Sequence, residues 1–373
     1  MRNFEGSVGG GPGSGRGSTS PFRGWCPHTR TCTYPWRRRR GRCSIPGRVM
    51  SDSEAGRIRL SFIIPAYNEE AQIRETVESI RTTALLWSDN PDSIGFEIIV
   101  VDNGSTDRTC SISRELGLTT LVRPGITVGA LRNNGSMVAE GQVLVFLDAD
   151  ISLTPEWAQA LPGLLARYRQ RGPFVSGSRV HAPDRKTMIE RAWFTDETHG
   201  GDRYVNSGHL IVPSSLFSDI GGFDESLVSG EDSEFCERAR GRGFEIIPMK
   251  EMKVIHRGSP KTVRDFFRRE RWHGYGDFQS VHLMSRSIPA ILALVNGIAL
   301  IGVVPGVFLF SYRALGAYLC LLLVLSAGAA LYRNGGALNS RLPCLVLLYG
   351  VYISARSMSL LDRLRDAGGA RWR

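Results

Sequence analysis

The sequence has 373 residues, of which 42% are hydrophobic, and a formal net charge of +10 at pH 7. This length suits one large folded domain or two modest ones, and the composition excludes a wholly disordered chain. Residues 1–50 contain ten arginines and one acid, Glu5, and so account for +9 of that charge. The rest of the chain is nearly neutral, so we expect no nucleic acid partner.

The first 57 residues are rich in Gly, Ser and Pro and have no apolar period, which predicts a disordered leader. They also lack the continuous apolar segment of a signal peptide. Met50 is followed by a polar lead-in and a strong strand pattern, so we expect Met50 to be the true start or the residues before it to be a leader. The seven cysteines form no C-x-x-C pair. Neither disulfides nor a cysteine zinc site is therefore expected.

From residue 58 onward, short apolar runs alternate with segments of helical periodicity. Residues 58–65, 96–102 and 142–148 have the composition of buried strands, and residues 69–83, 105–116 and 127–141 are predicted as helices. Ser105 or Thr106 is the expected cap of the second helix. This alternation predicts an α/β fold with a parallel sheet.

Polar clusters follow three of the predicted strands, at Asn68–Glu69, Asp102–Asn103 and Asp148–Asp150. Ligands bind at the carboxyl ends of strands in such sheets, so the clusters should gather on one rim. Asp148 and Asp150 end a buried strand with one residue between them, a spacing that can hold Mg²⁺ or Mn²⁺ through carboxylate oxygens. Aspartates after strands are also common turn formers, so this pair alone is a weak signal.

The last ninety residues differ in character. Residues 288–310 and 314–332 contain no formal charge. At about 1.5 Å per residue, each is long enough to cross a hydrocarbon core of about 30 Å. The two segments are apolar all round, which favours a transmembrane hairpin over a buried soluble helix pair. A third apolar stretch, residues 342–355, is only 14 residues long and ambiguous.

Arginines predict the orientation of this hairpin, because positive residues stay on the cytoplasmic side. Five arginines precede the first span: Arg264, Arg268, Arg269, Arg271 and Arg286. The body before the spans is therefore expected to be cytoplasmic. Five more arginines follow residue 355, so we expect residues 342–355 to be re-entrant or interfacial and not to cross.

Six segments in order resemble the motifs of family-2 glycosyltransferases: "SFIIPAYNEE" (61–70), "VVDNGSTDRT" (100–109), "GALRNNG" (129–135), "FLDAD" (146–150), "SGHLIVPSSLFSDIGGFDE" (207–225) and "SGEDSEFCERARGRG" (229–243). The resemblance covers about residues 58–280. It implies a GT-A nucleotide-diphospho-sugar transferase fold over residues 58–285. This is a Rossmann-like mixed sheet with helices on both faces, followed by the transmembrane helical region at 286–373.

The resemblance also implies roles for individual residues in nucleotide-sugar binding. Four residues would line the base and ribose: Pro65, Ala66, Tyr67 and Glu69. Asp102 would accept a hydrogen bond from a base N–H, which suits the imide of uracil and favours a UDP-sugar. Arg132 would meet the base or the diphosphate, and Asp148 the ribose or the metal.

Asp150 would be the main ligand of the divalent metal, with His256 as a further ligand, although a hydrogen-bonded histidine at a sheet edge is an equal alternative. Asp232, the aspartate of the Glu231–Asp232 pair, would be the general base that activates the acceptor. Acids in the first turn of a helix also stabilise the helix dipole, which is the structural alternative for this pair.

The run "RRERWHGYGDF" (268–278) carries an R-W pair like that of processive synthases in the family. Arg268 stands where their glutamine would be, which puts processivity in doubt. With Glu231, Arg271 and Trp272 are assigned to the acceptor region, or else they anchor the protein at the membrane interface.

The sequence thus predicts a metal-dependent inverting glycosyltransferase of the hexosyltransferase type at the cytoplasmic membrane face. A lipid-linked or small acceptor is expected. The alternatives are a polyprenyl-phosphate sugar transferase, whose acceptor needs no base, and a non-catalytic nucleotide-sugar-binding membrane protein.

Overall fold

The computed structural model describes residues 58–87, 94–183, 187–194, 205–278, 284, 287–310 and 312–365. The predicted leader and the last eight residues lie outside this part of the chain.

The described chain contains ten strands and eleven helices in alternation. The strands are β1 Arg59–Ala66, β2 Gly95–Asp102, β3 Thr119–Val122, β4 Val143–Leu147, β5 Ile151–Leu153, β6 Val175–Gly177, β7 Val180–His181, β8 His209–Pro213, β9 Ile246–Pro248 and β10 Val254–His256. The helices are α1 Ile73–Leu85, α2 Thr109–Glu115, α3 Val128–Val138, α4 Pro155–Arg171, α5 Met188–Trp193, α6 Ser214–Ile220, α7 Glu231–Gly241, α8 Val263–Asp277, α9 Ile288–Phe310, α10 Tyr312–Arg333 and α11 Leu342–Arg365.

Seven strands form one mixed sheet in the order β3-β2-β1-β4-β8-β6-β9. The pairs among β3, β2, β1 and β4 are parallel, whereas β8 is antiparallel to both β4 and β6. A second sheet has the order β5-β10-β7. The parallel half directs the carboxyl ends of β1, β2 and β4 to one edge, as the sequence predicted.

Hydrophobic side chains on alternate strand positions fill both faces of the large sheet. In β1, Leu60, Phe62 and Ile64 belong to the core that includes residues of α1 and α4. Ile63 points the other way and packs with Phe217 of α6 and other residues of α6 and α7. The predicted arrangement of a mixed sheet with helices on both faces is confirmed.

The predicted start of the second helix is wrong. α2 begins at Thr109, and neither Ser105 nor Thr106 caps it. The residues before it form a turn instead, because Asp102 Oδ1 accepts hydrogen bonds from the backbone N–H groups of Gly104 and Ser105, each at 2.9 Å.

The C-terminal part contains three helices that are long and apolar enough to cross a membrane: Ile288–Phe308, Tyr312–Arg333 and Leu342–Leu360. The ambiguous stretch 342–355 therefore lies inside a 24-residue helix, α11. The sequence argument underestimated this length because Arg356 interrupts the apolar run, although it does not interrupt the helix.

Candidate active site

The strand ends and the start of α7 enclose a cavity of about 820 Å³. Ten of the predicted site residues line it: Pro65, Tyr67, Glu69, Arg132, Asp148, Asp150, Glu231, Asp232, His256 and Trp272. Three predicted residues are absent from the described lining: Ala66, Asp102 and Arg271. The structure thus brings most of the predicted site together from six separate segments.

Side-chain hydrogen bonds join the loops that follow β1 and β2. Asn68 has a φ of 57°, which its short polar side chain tolerates. Its Oδ1 accepts a hydrogen bond from Thr106 N–H at 2.9 Å, and Glu69 N–H donates to Thr109 Oγ1 at 2.7 Å. These bonds fix the backbone next to Glu69, whose side chain lines the cavity.

Arg132 is a buried link between two cavity carboxylates. Its Nη2 donates to Asp148 Oδ1 and its Nη1 to Glu231 Oε1, each at 2.7 Å. The guanidinium is only 3% exposed, so loss of either partner would leave a buried charge poorly compensated. Arg132 therefore holds the end of β4 and the start of α7 at a fixed spacing.

Strand pairing brings His256 to Asp150. β10 runs antiparallel to β5 with His256 opposite Ile151, and His256 Nε2 lies 3.2 Å from Asp150 Oδ2. Gly258 permits this approach, because a Cβ at that position would lie 1.8 Å from Asp150 Oδ2. Burial opposes ionisation of Asp150, but His256, the charge of Arg269 and a backbone hydrogen bond together outweigh it and lower the pKa of this carboxyl.

Ser207 orients both members of the acidic pair that begins α7. Its hydroxyl donates to Glu231 Oε1 at 2.8 Å, and its backbone N–H donates to Asp232 Oδ2 at 3.2 Å. Burial, reinforced by the neighbouring Glu231, raises the pKa of Asp232 to about 7. Asp232 can therefore exchange a proton near neutral pH.

Glu69 also has a raised pKa. Burial and the charges of Asp150, Asp148 and Asp107 raise the pKa of Glu69 to about 8. Removal from bulk water inside the cavity raises the pKa of Asp148 as well, in spite of its ion pair with Arg132. The cavity thus concentrates more acidic groups than it can ionise together.

Trp272 lines the cavity, but its neighbour Arg271 pairs with Asp362 of α11 through two contacts of 2.5 Å. Arg269, two residues earlier on α8, lines the cavity instead, together with Arg333 and Arg356 of the C-terminal helices. Sequence reasoning did not assign these three arginines to the site. No local pattern could have done so, because packing of separate helices brings them together.

Family profiles match the same region. The profile described as Glycosyl transferase family 2 matches residues 61–217, and the one described as Glycosyl transferase family group 2 matches residues 143–353, more than half of the chain. The fold and the site define a sugar-transferring enzyme of the GT-A type. The chain belongs to the family-2 glycosyltransferases.

Several curated proteins are similar to this chain. Glycosyltransferase AglE of Haloferax volcanii is 27% identical over 259 residues, which are 66% of this chain and 81% of AglE. The pre-mycofactocin glycosyltransferase of Mycobacterium tuberculosis is 23% identical over 232 residues, 58% of this chain and 46% of that protein. Validoxylamine A glucosyltransferase of Streptomyces hygroscopicus is 25% identical over 54% of this chain and 52% of its own length. The chain thus spans about half the length of the last two.

Among solved structures, the mannosyltransferase PcManGT from Pyrobaculum calidifontis in complex with GDP-Man and Mn²⁺ has a TM-score of 0.53 and 18% sequence identity. The match covers 82% of this chain and 88% of that one. The predicted GT-A fold is confirmed.

Proposed function

We propose that this protein is a membrane-associated, metal-dependent inverting glycosyltransferase that acts at the cytoplasmic membrane face. The observation that carries the proposal is the convergence of Asp148 and Asp150 of the β4 end with Glu231 and Asp232 of α7 on one cavity. One carboxylate group there would hold a metal and another would exchange a proton, which are the two tasks of the proposed reaction.

The site chemistry fits one divalent metal. The 3.2 Å between Asp150 Oδ2 and His256 Nε2 is close to the ~3 Å that separates neighbouring ligands of Mg²⁺ or Mn²⁺. Among the described residues, no group of three His, Cys, Asp or Glu side chains could hold a metal ion. Donor phosphate oxygens and water would therefore supply the remaining ligands. The metal would neutralise charge on the departing diphosphate.

The nucleoside would lie at the ends of β1 and β2. Asp102 is 1% exposed, and its Oδ2 has no hydrogen-bond partner among the described residues. Such an orphaned acceptor would suit a base N–H, such as the imide of uracil, although Asp102 lies behind the described cavity lining and not in it. We therefore favour a UDP-sugar, with Pro65, Tyr67 and Glu69 of the cavity wall beside the base and ribose.

Asp232 would serve as the base. The acceptor O–H gives its proton to Asp232 as the acceptor oxygen bonds to the anomeric carbon and the bond from that carbon to the diphosphate breaks. Attack from the face opposite the leaving group inverts the configuration. A pKa of about 7 supports this role, because a general base works best near the operating pH.

The test is a screen of nucleotide sugars with the full chain in detergent, with and without Mn²⁺ or Mg²⁺. We expect metal-dependent release of the nucleoside diphosphate and a preference for a UDP-sugar. The Asp232→Asn variant should keep nucleotide affinity and lose about 10²–10⁴-fold in transfer to a hydroxyl acceptor.

Each alternative has its own outcome in this screen. Near wild-type transfer by Asp232→Asn to a phosphate acceptor would favour a polyprenyl-phosphate sugar transferase. Nucleotide binding without turnover on any nucleotide sugar would favour a non-catalytic binding protein. Equal release without any divalent metal would contradict the metal dependence.

A further inference from the structure

The cavity lining also contains basic residues. Arg269 of α8, Arg333 at the end of α10 and Arg356 of α11 line the same cavity as the acidic residues. We call these three residues the arginine cluster. The proposed function assigns none of them a contact with the donor, and two of them belong to the apolar C-terminal helices.

Each guanidinium of the arginine cluster stacks on an aromatic ring. The distances from guanidinium carbon to ring centroid are 4.9 Å for Arg269 over Phe194, 4.2 Å for Arg333 over Trp193 and 4.6 Å for Arg356 over Tyr352. Stacking occupies the face of a guanidinium and leaves the N–H groups at its edge free to donate. Each guanidinium is thus held beside an aromatic ring before any ligand binds.

Some donors of the arginine cluster have no carboxylate partner among the described residues, although the charge of Arg269 acts on Asp150 and lowers its pKa. Arg356 meets Glu270 at 3.1 Å, but Arg269 Nε donates to His273 Nε2 and Arg333 Nη2 to the backbone carbonyl of Trp193. Arg269 Nη1 and Arg333 Nε are shielded from solvent and have no acceptor among the described residues. Unsatisfied buried donors on charged groups are costly, so the cluster favours an anionic partner.

The lowered pKa of His273 is consistent with an excess of positive charge around it. His273 lies among the arginines and lines the cavity. Burial lowers the pKa of His273 well below its ordinary value, and the charges of Arg269 and Arg356 lower it further. A neutral imidazole contributes no charge, so the positive charge of the cluster comes from its arginines.

We infer that the arginine cluster binds the phosphate group of a lipid acceptor, which extends the proposed function and rests on it. Guanidinium edges match the paired oxygens of a phosphate and form bidentate hydrogen bonds with them. In the proposed function the donor diphosphate would lie beside Asp150 and His256, which leaves the arginine cluster for the second substrate. Its hydrocarbon chain would leave along the apolar helix α10, whose last residue, Arg333, lines the cavity.

The inference is tested by equilibrium binding to the full chain in mixed micelles. The probes are an isoprenyl monophosphate, the matching uncharged isoprenol, phosphatidylglycerol and inorganic phosphate. The variants are Arg269→Gln, Arg333→Gln and Arg333→Lys. The control is Arg264→Gln, which removes an exposed arginine from the same helix, outside the cavity lining. Binding of UDP with Mn²⁺ is measured in parallel.

We expect the isoprenyl monophosphate to bind and the isoprenol to bind at least tenfold more weakly. Each glutamine variant should lose about 10–10²-fold in affinity for the monophosphate, Arg333→Lys should lose less, and Arg264→Gln should match the wild type. Affinity for UDP should be unchanged, which also shows that the variants are folded.

Three outcomes would overturn the inference: equal binding of isoprenol and monophosphate, equal losses in Arg264→Gln, or losses confined to UDP affinity. Inorganic phosphate that competes as well as the lipid would assign the cluster to a free anion, and phosphatidylglycerol that competes equally would assign it to bulk lipid. Failure of wild-type UDP binding would instead contradict the proposed function.

Discussion

Two carboxylates in one cavity are in opposite electrostatic situations. His256 lowers the pKa of Asp150 against the effect of burial, so this group stays ionised and ready for a cation. At Asp232, burial and the neighbouring Glu231 outweigh the backbone hydrogen bonds and the charge of Arg132, and they raise the pKa to about 7. Divergent environments of this kind separate an electrostatic role from a proton-transfer role.

Asp150→Ala should abolish metal-dependent donor binding and leave the fold intact. Asp150 stands after the end of β4 and its carboxylate contributes no core volume, so its loss removes a ligand without opening a cavity. Calorimetric titration with UDP in the presence and absence of Mn²⁺ measures the effect. Unchanged affinity in Mn²⁺ would refute the role of Asp150, and an unchanged thermal unfolding midpoint provides the control for folding.

The transfer rate should rise with pH through about 7. Asp232 accepts a proton only when ionised, and its raised pKa places that ionisation near neutrality. Activity should therefore be low at pH 5.5 and level off above pH 8. The measurement is kcat against pH with donor and acceptor saturating.

Glu231→Gln should move this pH midpoint to a lower value, because the charge of Glu231 helps to raise the pKa of Asp232. The amide oxygen can still accept hydrogen bonds from the Ser207 hydroxyl and Arg132 Nη1, but the charge that compensates buried Arg132 is lost. Thermal unfolding is therefore measured beside the pH profile as the control for folding. A midpoint that stays in place or rises would show that another group controls the profile.

At the residue scale, sequence motifs predicted which residues line the cavity better than they predicted the hydrogen bonds between those residues. Asp148, Asp150 and Asp232 line the cavity, as expected from strand ends and the E-D pair. The bonds of Arg132 to Asp148 and Glu231 could not be predicted, because they depend on how α3 approaches both β4 and α7. The same holds for the arginine cluster, which three separate helices assemble.

At the element scale, the second glycine of "GALRNNG", Gly135, lets α3 pack closely on the sheet. A Cβ at Gly135 would lie 2.4 Å from Ile63 Cγ2 and 3.2 Å from Val101 Cγ2. Gly135→Ala should therefore lower the free energy of unfolding by about 1–3 kcal/mol through overpacking.

Gly163 of α4 provides the matched control, because a Cβ there would meet no atom within 4 Å. Gly163→Ala should raise the free energy of unfolding by about 0.4–1 kcal/mol through helix propensity and reduced chain entropy. Thermal unfolding of both variants in one detergent measures the pair. If both substitutions change the free energy of unfolding equally, close packing is not the reason for a glycine at position 135.

Long elements were predictable and short ones were not. β1, β2 and β4 have five to eight residues and a clear apolar pattern. The second sheet consists of β5, β7 and β10, with two or three residues each, and such short runs carry no periodicity. This sheet places His256 beside Asp150, so the predicted ligand pair rested on the family resemblance and not on a strand pattern.

Both ends of α11 contact the catalytic part of the chain. Near its start, Leu345 packs with Trp193 of α5, and near its end Asp362 pairs with Arg271 of α8. A 24-residue helix is about 36 Å long. A helix that crossed the bilayer and left the domain would keep contacts at one end alone, so these contacts favour an interfacial position.

We predict that α11 does not cross the membrane. A reporter fused after Arg373 should lie on the same side as one fused before Met50, whereas a reporter inserted between α9 and α10 should lie on the other side. Protease protection in sealed vesicles measures all three. A protected C-terminal reporter with an accessible N-terminal one would show that α11 spans.

At the scale of the whole molecule, the outer surfaces of α9 and α10 suggest contact with lipid. Ile298 and Ile301 of α9 are 63% and 62% exposed, and Leu323 and Val324 of α10 are 59% and 67% exposed. Soluble proteins rarely expose apolar patches of this extent. The hairpin also returns to the catalytic domain, since Arg333 donates to the carbonyl of Trp193, so the anchor and the active site are joined at the arginine cluster.

Charged residues in the hairpin should weaken membrane attachment while α11 stays in place. Ile298→Arg combined with Leu323→Arg introduces charges at exposed positions near the helix centres, at a cost of about 2.5–3.5 kcal/mol each. The double variant should float less completely with membranes in a density gradient. The control is the exposed substitution Arg264→Gln outside the spans, and unchanged flotation of the double variant would argue against insertion of the hairpin.

The charged leader should contribute far less to attachment than the hairpin. Residues 1–50 carry +9 of the net charge, but screened attraction to lipid head groups gives only about 1 kcal/mol per arginine near the surface. Deleting residues 1–49 should therefore leave flotation and sugar transfer unchanged, whereas ending the chain after Arg286 should release it from membranes.

Because this second truncation also uncovers Trp193 and Phe266, which pack against α11, flotation must be used to separate membrane-bound protein from aggregates. If the form without residues 1–49 fails to float, the leader is a targeting element and Met50 is not the start. If the form ending at Arg286 still floats, the hairpin is not the main anchor.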